Sequence, residues 1–592
     1  MMTGWGRFQG YNIASLRRDI ISGTIVGVIA IPLGMAFAIA SGVKPEYGIY
    51  TTIVAGILIS LFGGSKFQIG GPTGAFIPIL FAIAMEYGYE NLLIAGMMAG
   101  IILVLMGLLR LGVLIKFIPR PVTIGFTAGI AVIIFTGQIG NFLGLQGVKR
   151  HEAFIDNMKE LGLHISTINM YSVLTAVICL AVVILGLRFA PKVPGSLIGL
   201  LCATLIAALF FSGKVTTIGS AYGDIPNTLP SFHFPVITWE RIRLLLRPAF
   251  VIAMLGAIES LLSAVVADGM SGSRHNSNRE LVGQGIANIT APLFGGIPAT
   301  GAIARTATNI RSGAASPLSG VIHGIVVFLI LLLFAPYASS IPLAAMAPIL
   351  MVVAWNMSER KQFLKLLKLK TGDSLVMFIT FLLTIFADLT VAVEAGLVLA
   401  VILFVKRMGE THLVAKVLPD PESVKVAAHM VTDSHDCPQV GIYNVEGPLF
   451  FGAAYRFGDT MPEPGPSQPK LIILRMGKVP FMDTTGEANL AELVKQLQAD
   501  GGKLLISGIE PQPLELLKRT GLYDKIGVQQ FFGHTGDAIN AALAMIQTER
   551  CAGCRHAAFR ECAALAAVQE APGRIGFKSH KPAIAGKLSS GI

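Results

Sequence analysis

Charge is what this 592-residue chain has least of. Only 14% of its residues are Asp, Glu, Lys or Arg, where a soluble protein carries roughly 25%. With 53% hydrophobic residues and a mean hydropathy of +0.67, most of the chain must sit in lipid. Cysteine is scarce as well: six residues, none in the spacing of a secreted disulfide framework. Cys551, Cys554 and Cys562, with His556 between them, have a spacing that zinc can use. That pattern occurs once, on a tail of helical composition, and reads as free thiols, so no metal is expected. No stretch alternates basic and aromatic residues, which argues against a nucleic-acid partner. No nucleotide loop, cofactor fingerprint or nucleophile–base constellation is present either, so neither an enzyme nor a cofactor is expected.

What the chain does have is apolar segments separated by short loops. They lie at 19–41, 48–63, 72–87, 91–112, 119–144, 170–189, 194–212, 246–270, 280–296, 299–311, 316–338, 340–356, 373–389 and 391–408. Arg7, Arg17 and Arg18 precede the first, and no small-residue cleavage site follows it, which reads as an uncleaved first span. With the N-terminus inside, one set of loops collects Lys66, Arg110, Lys116, Arg120, Arg188, Lys192, Arg274, Arg279, Arg305, Arg311 and the basic run at 360–370. The opposite loops hold mainly Glu86, Glu90 and a mixed stretch at 149–160. That asymmetry follows the positive-inside pattern and puts both termini in the cytoplasm. Arg241, Arg243 and Arg247 are the exception and are assigned to an interfacial amphipathic helix.

Residues 291–311, APLFGGIPATGAIARTATNIR, break the apolar pattern with Pro292, Gly295, Gly296, Pro298 and Gly301. A helix from Ala299 or Thr300 to Arg311 would span about 18–20 Å, too short for a hydrocarbon core of about 30 Å. Irregular backbone at membrane depth survives only when protein buries it or when it lines a polar cavity. A half-helix that starts mid-membrane presents free N–H groups and a positive dipole end, which suits an anion. Residues 56–75, GILISLFGGSKFQIGGPTGA, resemble 285–304, GIANITAPLFGGIPATGAIA. Seven segments per half then imply opposite topologies, the inverted-repeat design of secondary transporters. After Arg407 strand-like runs at 439–446, 470–475 and 503–507 alternate with helical patterns at 484–499, 511–520 and 536–548, which predicts a small α/β domain. The last twenty residues are read as a disordered basic tail.

Four stretches carry a family resemblance: IPLGMAFAIASGVKPEYGIY at 31–50, GGPTGAFIPI at 70–79, ESLLSAVVADGMSGSRHNSNRELVGQGIAN at 259–288, and 291–311 itself. Together with FMDTTG at 481–486 they resemble the SulP (sulfate permease) anion transporters and their C-terminal STAS domain. The fold class expected is an α-helical polytopic membrane protein of 14 transmembrane segments in a 7+7 inverted repeat. Two half-helices would meet mid-membrane, and a small cytoplasmic α/β STAS domain would follow. The expected divisions are a transport domain at 1–408, a linker at 409–437, the STAS domain at 438–549 and a tail at 550–592. The resemblance further implies a core domain moving against a gate domain, a homodimer, and an anion between the N-termini of the third and tenth helices.

The predicted site follows from both arguments. Thr73, Gly74, Ala75 and Phe76 open the third helix after Gly70, Gly71 and Pro72, and their N–H groups are candidate donors. Ala302, Ile303 and Ala304 would supply facing N–H groups, and Arg305 the fixed charge, since an intramembrane arginine must face a cavity or a partner. Glu259 is the candidate proton or coupling-ion site, with a salt bridge to Arg305 as the structural alternative, and Ser263 is a candidate polar liner. The resemblance assigns Phe37 to the pocket wall. It also marks Glu259 and Ile303 as departures from sodium-coupled bicarbonate relatives, which favours proton coupling or exchange. In the STAS domain Thr484 stands where anti-sigma-factor antagonists are phosphorylated; a capped helix start is the preferred reading.

The function expected is secondary active transport of a small anion (sulfate, bicarbonate or a C4-dicarboxylate) across the cytoplasmic membrane. The partners expected are that anion, protons, membrane lipid, a second copy of the chain and a cytoplasmic protein at the STAS domain. The alternatives are a passive anion channel, a sodium-coupled bicarbonate carrier, a nucleobase carrier and a STAS-based membrane regulator.

Overall fold

The computed structural model describes residues 7, 11–113, 119–189, 195–228, 231–387, 389–410, 413–420, 426–432, 435–452, 457, 461, 469–551, 554–556 and 558–562. Lys116, Lys192 and the tail from 563 onward therefore lie outside the described residues. The chain divides into two compact units, Met1–Ala400 and Val401–Ile592.

The first unit is helical. Its first half contains α1 (Ile13–Ala40), α2 (Pro45–Phe62), the short strand β1 (Gly70–Gly71), a 3₁₀ turn (Gly74–Phe76) running into α3 (Ile77–Tyr87), and α4 (Tyr89–Leu108). It continues with α5 (Arg120–Gly137), α6 (Ile139–Leu143), α7 (Phe154–Leu163), α8 (Met170–Phe189), α9 (Gly195–Phe210) and α10 (Ile218–Tyr222). The second half contains α11 (Trp239–Ser271), α12 (Ser277–Thr290), strand β2 (Thr300–Gly301) and α13 (Ile303–Arg311). It ends with α14 (Leu318–Ala338), α15 (Leu343–Met357), α16 (Arg360–Leu369), α17 (Gly372–Phe386) and α18 (Leu389–Glu410). Each of the fourteen apolar segments contains helix, although 299–311 opens on β2 and 280–296 ends in a 3₁₀ turn at Ala291–Phe294. Among the described residues six helices are long and apolar enough to cross a membrane by length and composition.

Side-chain caps set several starts. Asn12 accepts the Ser15 N–H at 2.9 Å and Thr238 the Arg241 N–H at 3.3 Å, satisfying donors that a helix end leaves open. Because Thr238 caps there, Arg241, Arg243 and Arg247 lie in the first turns of α11 itself, not in a separate interfacial helix. A second correction concerns α13. It begins at Ile303, not at Ala299 or Thr300, and is only about 13–14 Å long. Of the residues expected to open it, Thr300 lies in β2 and Ala299 is bonded by the Asn288 side chain.

The helices pack in two groups. α1, α2 and α4 pack against α11, α12 and α14, while α5 and α8 pack against α15, α5 against α17 and α8 against α9. The pairs obey the repeat. If α1, α2 and α4 are exchanged for α11, α12 and α14, then α4 on α12 becomes α14 on α2, and α1 on α14 becomes α11 on α4. Both members of each pair exist. At the crossing of α4 and α12 a Cβ on Gly100 would stand 2.7 Å from the Gly285 carbonyl oxygen, and one on Gly285 2.6 Å from that of Gly100. Only glycine permits backbones this close.

The second unit is an α/β domain. Its sheet has the order β3-β6-β7-β8-β9, formed by β3 (Leu413–Lys416), β6 (Val440–Glu446), β7 (Leu471–Lys478), β8 (Lys503–Ser507) and β9 (Phe531–Phe532). β3 runs antiparallel to β6, and the other pairs are parallel. A separate pair, β4 (Leu418–Pro419) with β5 (Val426–Ala427), precedes β6. The period-2 alternation of β7 sends Ile472 and Leu474 to one apolar cluster and Leu471 and Ile473 to another. The first cluster includes residues of α19 (Thr484–Ala499), α20 (Pro511–Thr520) and α21 (Leu522–Ile526); the second includes α22 (Thr535–Leu543). Packing on that second face continues past residue 549, where Ala558 and Phe559 are buried.

Glu280 on α12 ties α2 to the loop before β1. Its Oε2 accepts the N–H groups of Gly64 (2.7 Å) and Ser65 (3.0 Å), and its Oε1 accepts from Gln284 (2.9 Å). Glu280→Ala would leave two buried donors open, and each bond to a charged group contributes about 1.5–3 kcal/mol. The variant is expected to unfold at markedly lower temperature than Glu280→Gln in detergent. Equal midpoints for Glu280→Ala and wild type would show that this carboxylate is not structural.

Candidate anion-binding site

The two broken segments meet as a two-residue antiparallel ladder, with Gly70 opposite Gly301 and Gly71 opposite Thr300. The alignment of 56–75 with 285–304 makes Gly71 and Thr300 equivalent, so the ladder sits where the two repeats face each other. Side chains from neighbouring helices hold it. Ser260 Oγ accepts the Gly301 N–H at 3.0 Å and lies 2.7 Å from Thr300 Oγ1, while Gln68 donates to the Ser260 carbonyl at 3.1 Å. Thr306 Oγ1 accepts the Ile69 N–H at 3.0 Å. Asn288 both donates to the Ala299 carbonyl and accepts its N–H, each at 2.8 Å. Buried backbone without these partners would be costly at this depth.

From this clamp two helix starts emerge. Neither the 3₁₀ turn at Gly74 nor α13 at Ile303 has a side-chain cap. The first N–H groups of each therefore lack a helical partner and present the positive dipole end. Gly74 and Ala75 are buried, whereas Ile303 and Ala304 are exposed. The Phe76 N–H is taken by the Thr73 carbonyl at 3.2 Å. The Ala302 N–H, predicted as a free donor, is not free: it donates to the Ile69 carbonyl at 2.8 Å. The reason is the ladder, which holds the chain extended up to Ala302, whose N–H bonds back to the residue before β1.

Arg305 lies in the first turn of α13 and is 3% exposed. Its Nη2 donates to the Pro72 carbonyl, and its Nη1 is buried with no partner. The guanidinium occupies the space where a Cβ on Gly71 would point, and Gly71 itself has φ +147°. Both facts require glycine there. Among the described residues Arg305 forms no salt bridge, so the alternative of an ion pair with Glu259 is not what the structure contains. Thr73 Oγ1 is likewise buried and unpartnered. Among the described residues Arg305 Nη1 and Thr73 Oγ1 are unpartnered donors, and both helix starts lack a side-chain cap, features that suit an anion.

The wall is apolar. A Cβ position on Gly74 lies 3.4 Å from Ile134 Cδ1 on α5, 3.7 Å from the Phe37 ring on α1 and 3.7 Å from Met357 Sδ at the end of α15. Ile134 and Met357 were not picked out by sequence reasoning, because one apolar residue in an apolar helix resembles the next. Phe76 turns away and packs its ring on Gly256 of α11. Ser263 is also turned away: fully buried, it lies 3.3 Å from Thr306 Oγ1 and supports α13 without lining the site. Glu259 is 8% exposed, with Glu359 as an electrostatic neighbour. Among the described residues its carboxylate has no hydrogen-bond or ion-pair partner. His323 on α14 was also overlooked; it is fully buried behind β1, and neither ring nitrogen has a partner.

Beyond Ile134 the described residues enclose a cavity of about 290 Å³ between α3, α5, α7 and α17. Arg150 lines it and donates to the Ile39 carbonyl at the end of α1 at 3.0 Å. Ile134 thus separates this cavity from Gly74. In the second unit Thr484 is exposed as the first residue of α19, whose cap is Asp483 accepting the Gly486 N–H at 2.8 Å.

Residues 16–380 match the model of the sulfate permease family, and residues 432–538 match that of the STAS domain. The chain is 56% identical over 529 residues to "Putative sulfate transporter YvdB" of Bacillus subtilis (strain 168), covering 89% of this chain and 98% of that protein. It is 28% identical over 528 residues to "Bicarbonate transporter BicA" of Picosynechococcus sp., covering 86% and 92%. Among solved structures it is similar to SLC26A9, with a TM-score of 0.82 at 18% identity over 92% of this chain and 93% of the other. It is also similar to the transmembrane domain of a cyanobacterial BicA, with a TM-score of 0.58 at 31% identity over 66% and 98%.

Thr73→Val removes one hydroxyl from the site and changes little else. If that hydroxyl donates to the anion, the half-saturating anion concentration should rise about 3–10-fold, the worth of one hydrogen bond. An unchanged value in proteoliposome uptake would take Thr73 out of the site.

Proposed function

The chain belongs to the sulfate permease family, and from that premise we propose that it carries sulfate, bicarbonate or a C4-dicarboxylate across the cytoplasmic membrane by alternating access. The observation that carries this reading is Arg305: a buried guanidinium with one unpartnered nitrogen, no counter-carboxylate among the described residues, and an uncapped helix start on either side of the ladder. Leaving such a charge uncompensated costs several kcal/mol. A bound oxyanion would supply both the charge and the acceptor atoms.

In this mechanism the anion accepts from the Gly74 and Ala75 N–H groups and Thr73 on one side. The Ile303 and Ala304 N–H groups and Arg305 serve it on the other. The α1–α4 and α11–α14 group carries these donors as the core and moves against the group containing α5, α8, α9, α15 and α17 as the gate. Ile134 and Met357 of the gate then bound the site on one face, and moving past them changes which side of the membrane it reaches. Glu259, unpaired and close to this surface, is the proton carrier. Taking up a proton neutralises one charge of the loaded site, so proton symport or exchange fits better than sodium coupling. Ile303 offers no side-chain oxygen for sodium, which is consistent with that choice. Both termini face the cytoplasm, the working unit is a homodimer, and the exposed α19 start with Thr484 is the docking face for a cytoplasmic protein.

Uptake of labelled sulfate, bicarbonate, fumarate and succinate into proteoliposomes tests the proposal. One of them is expected to be carried and saturable, with Arg305→Ala lowering its uptake about 10–150-fold, the worth of a hydrogen bond to a charged group. Wild-type uptake by a folded Arg305→Ala protein would remove this residue from the mechanism. Uptake should also rise as external pH falls, and Glu259→Gln should flatten that dependence. A pH profile that Glu259→Gln leaves intact would assign coupling elsewhere.

A further inference from the structure

Between the apolar helices α15 and α17 the chain sets Arg360, Lys361, Lys365, Lys368 and Lys370 against two acids, Glu359 and Asp373. Arg360–Leu369 form α16, ten residues and about 15 Å long, too short to cross a bilayer. Its sequence divides the helix lengthwise. Lys361, Lys365 and Lys368, spaced i, i+4, i+7, share one face, while Phe363 and Leu366 share another. Phe363 and Leu366 are half-buried, and the Phe363 ring centre lies 5.1 Å from that of Phe381 on α17. The Leu366 carbonyl accepts the Ser374 hydroxyl at 2.6 Å, and Gln362 Oε1 accepts from Arg120 of α5 at 2.8 Å. One side of α16 is thus fastened to the group assigned above as the gate.

The other side is uncovered. Leu364, Leu367 and Leu369 are exposed, and so are Lys361, Lys365 and Lys368. Among the described residues no carboxylate pairs with these three lysines. Leucines bare to water beside a row of lysines are unfavourable in solution. They suit the boundary of a bilayer, where leucine enters the acyl edge and the lysine stems carry their ammonium groups to the headgroups. Trp355, exposed near the end of α15, fits the same boundary, a depth that tryptophan favours; the Arg360 guanidinium stacks over its ring at 4.3 Å. The backbone also fixes the helix at both ends. Glu359 and Lys370, immediately before and after α16, have φ of +42° and +50°, a left-handed conformation that is uphill for residues other than glycine. These turns end the helix on each side and keep it from merging with α15 or α17.

We propose that α16 is a docking face for anionic lipid headgroups of the phosphatidylglycerol type. Charge complementarity selects this occupant: three unpaired ammonium groups meet phosphates, and the flanking leucines call for the acyl chains that a soluble phosphate lacks. The face rests on the cytoplasmic placement of this loop in the function proposed above. Its consequence concerns the gate. Met357, the last residue of α15, bounds the anion site, and α16 begins after only two more residues. Lipid held on α16 fastens the gate group to the leaflet while the core group moves.

The test uses the full chain in neutral detergent, following its unfolding temperature as phosphatidylglycerol or phosphatidylcholine is added. Phosphatidylglycerol is expected to raise the midpoint at concentrations where phosphatidylcholine does not, and added salt should remove the difference. A triple variant, Lys361→Gln with Lys365→Gln and Lys368→Gln, should need about 100-fold more phosphatidylglycerol, roughly fivefold for each lysine. Its midpoint in detergent alone should match the wild type. If the triple variant does not fold, Lys365→Gln alone decides, with a shift of about fivefold. Equal stabilisation by the two lipids, or an unaltered response in the folded variant, would overturn the docking face. So would the same stabilisation by glycerol phosphate, which would make this a site for soluble phosphate. Protection of the three lysines from acylation in lipid-free detergent would place a protein surface on them and overturn it as well. Uptake plays no part in these readouts, so failure of the docking face leaves the transport function standing, and the reverse.

Discussion

The structure of the first unit depends on one buried interaction, the Arg305 guanidinium against the Pro72 carbonyl. A charge in this position is tolerable only if its surroundings are fixed, since an unpaired buried ion costs several kcal/mol. The surroundings are fixed by a two-residue ladder, and the ladder by Ser260, Gln68, Thr306 and Asn288. Gly71 exists as glycine because the guanidinium lies where its side chain would be. Changing any one of these disturbs the others, because they share partners within one polar network.

In the proposed reading, the same interaction lets the site favour negative charge without a dedicated cage of side chains. Two broken helices bring their starts together, and the backbone supplies most of the donors. Thr73 adds a hydroxyl and Arg305 adds the charge. The walls, Phe37, Ile134 and Met357, come from three different helices in both packing groups. The site is thus half fixed and half bounded by residues that a relative movement of the groups would displace. The chain belongs to the sulfate permease family, is similar in fold to SLC26A9 and to the transmembrane domain of BicA, and joins a helical unit to a STAS domain.

Much of the architecture was legible in the sequence because glycine and proline interrupt apolar runs only where a backbone must bend. The stretch 291–311 and its counterpart at 56–75 announced the two half-helices, and Arg305 stood out as a charge in an apolar setting. The α/β period of the second unit was equally plain, and α19, α20 and β8 have the predicted bounds. What could not be read was pairing across the repeat. The ladder claims Thr300 and Gly301, shortens α13 and occupies the Ala302 N–H, and no local pattern signals a two-residue strand. Ser263 looked like a liner because a serine in an apolar helix gives no indication of which neighbour it bonds. Ile134 and Met357 were invisible for a related reason: their positions beside Gly74 arise from which distant segment packs there.

The central claim is that the buried guanidinium of Arg305 is completed by the transported anion. The most direct measurement is anion-dependent thermal stabilisation of the detergent-solubilised protein, comparing wild type with Arg305→Gln across sulfate, bicarbonate and fumarate. For a single site the gain in stability should grow with the logarithm of concentration over the dissociation constant. The account predicts such a gain for one of these anions in the wild type and its loss in a folded Arg305→Gln protein. Equal stabilisation of the two proteins by the same anion would contradict it.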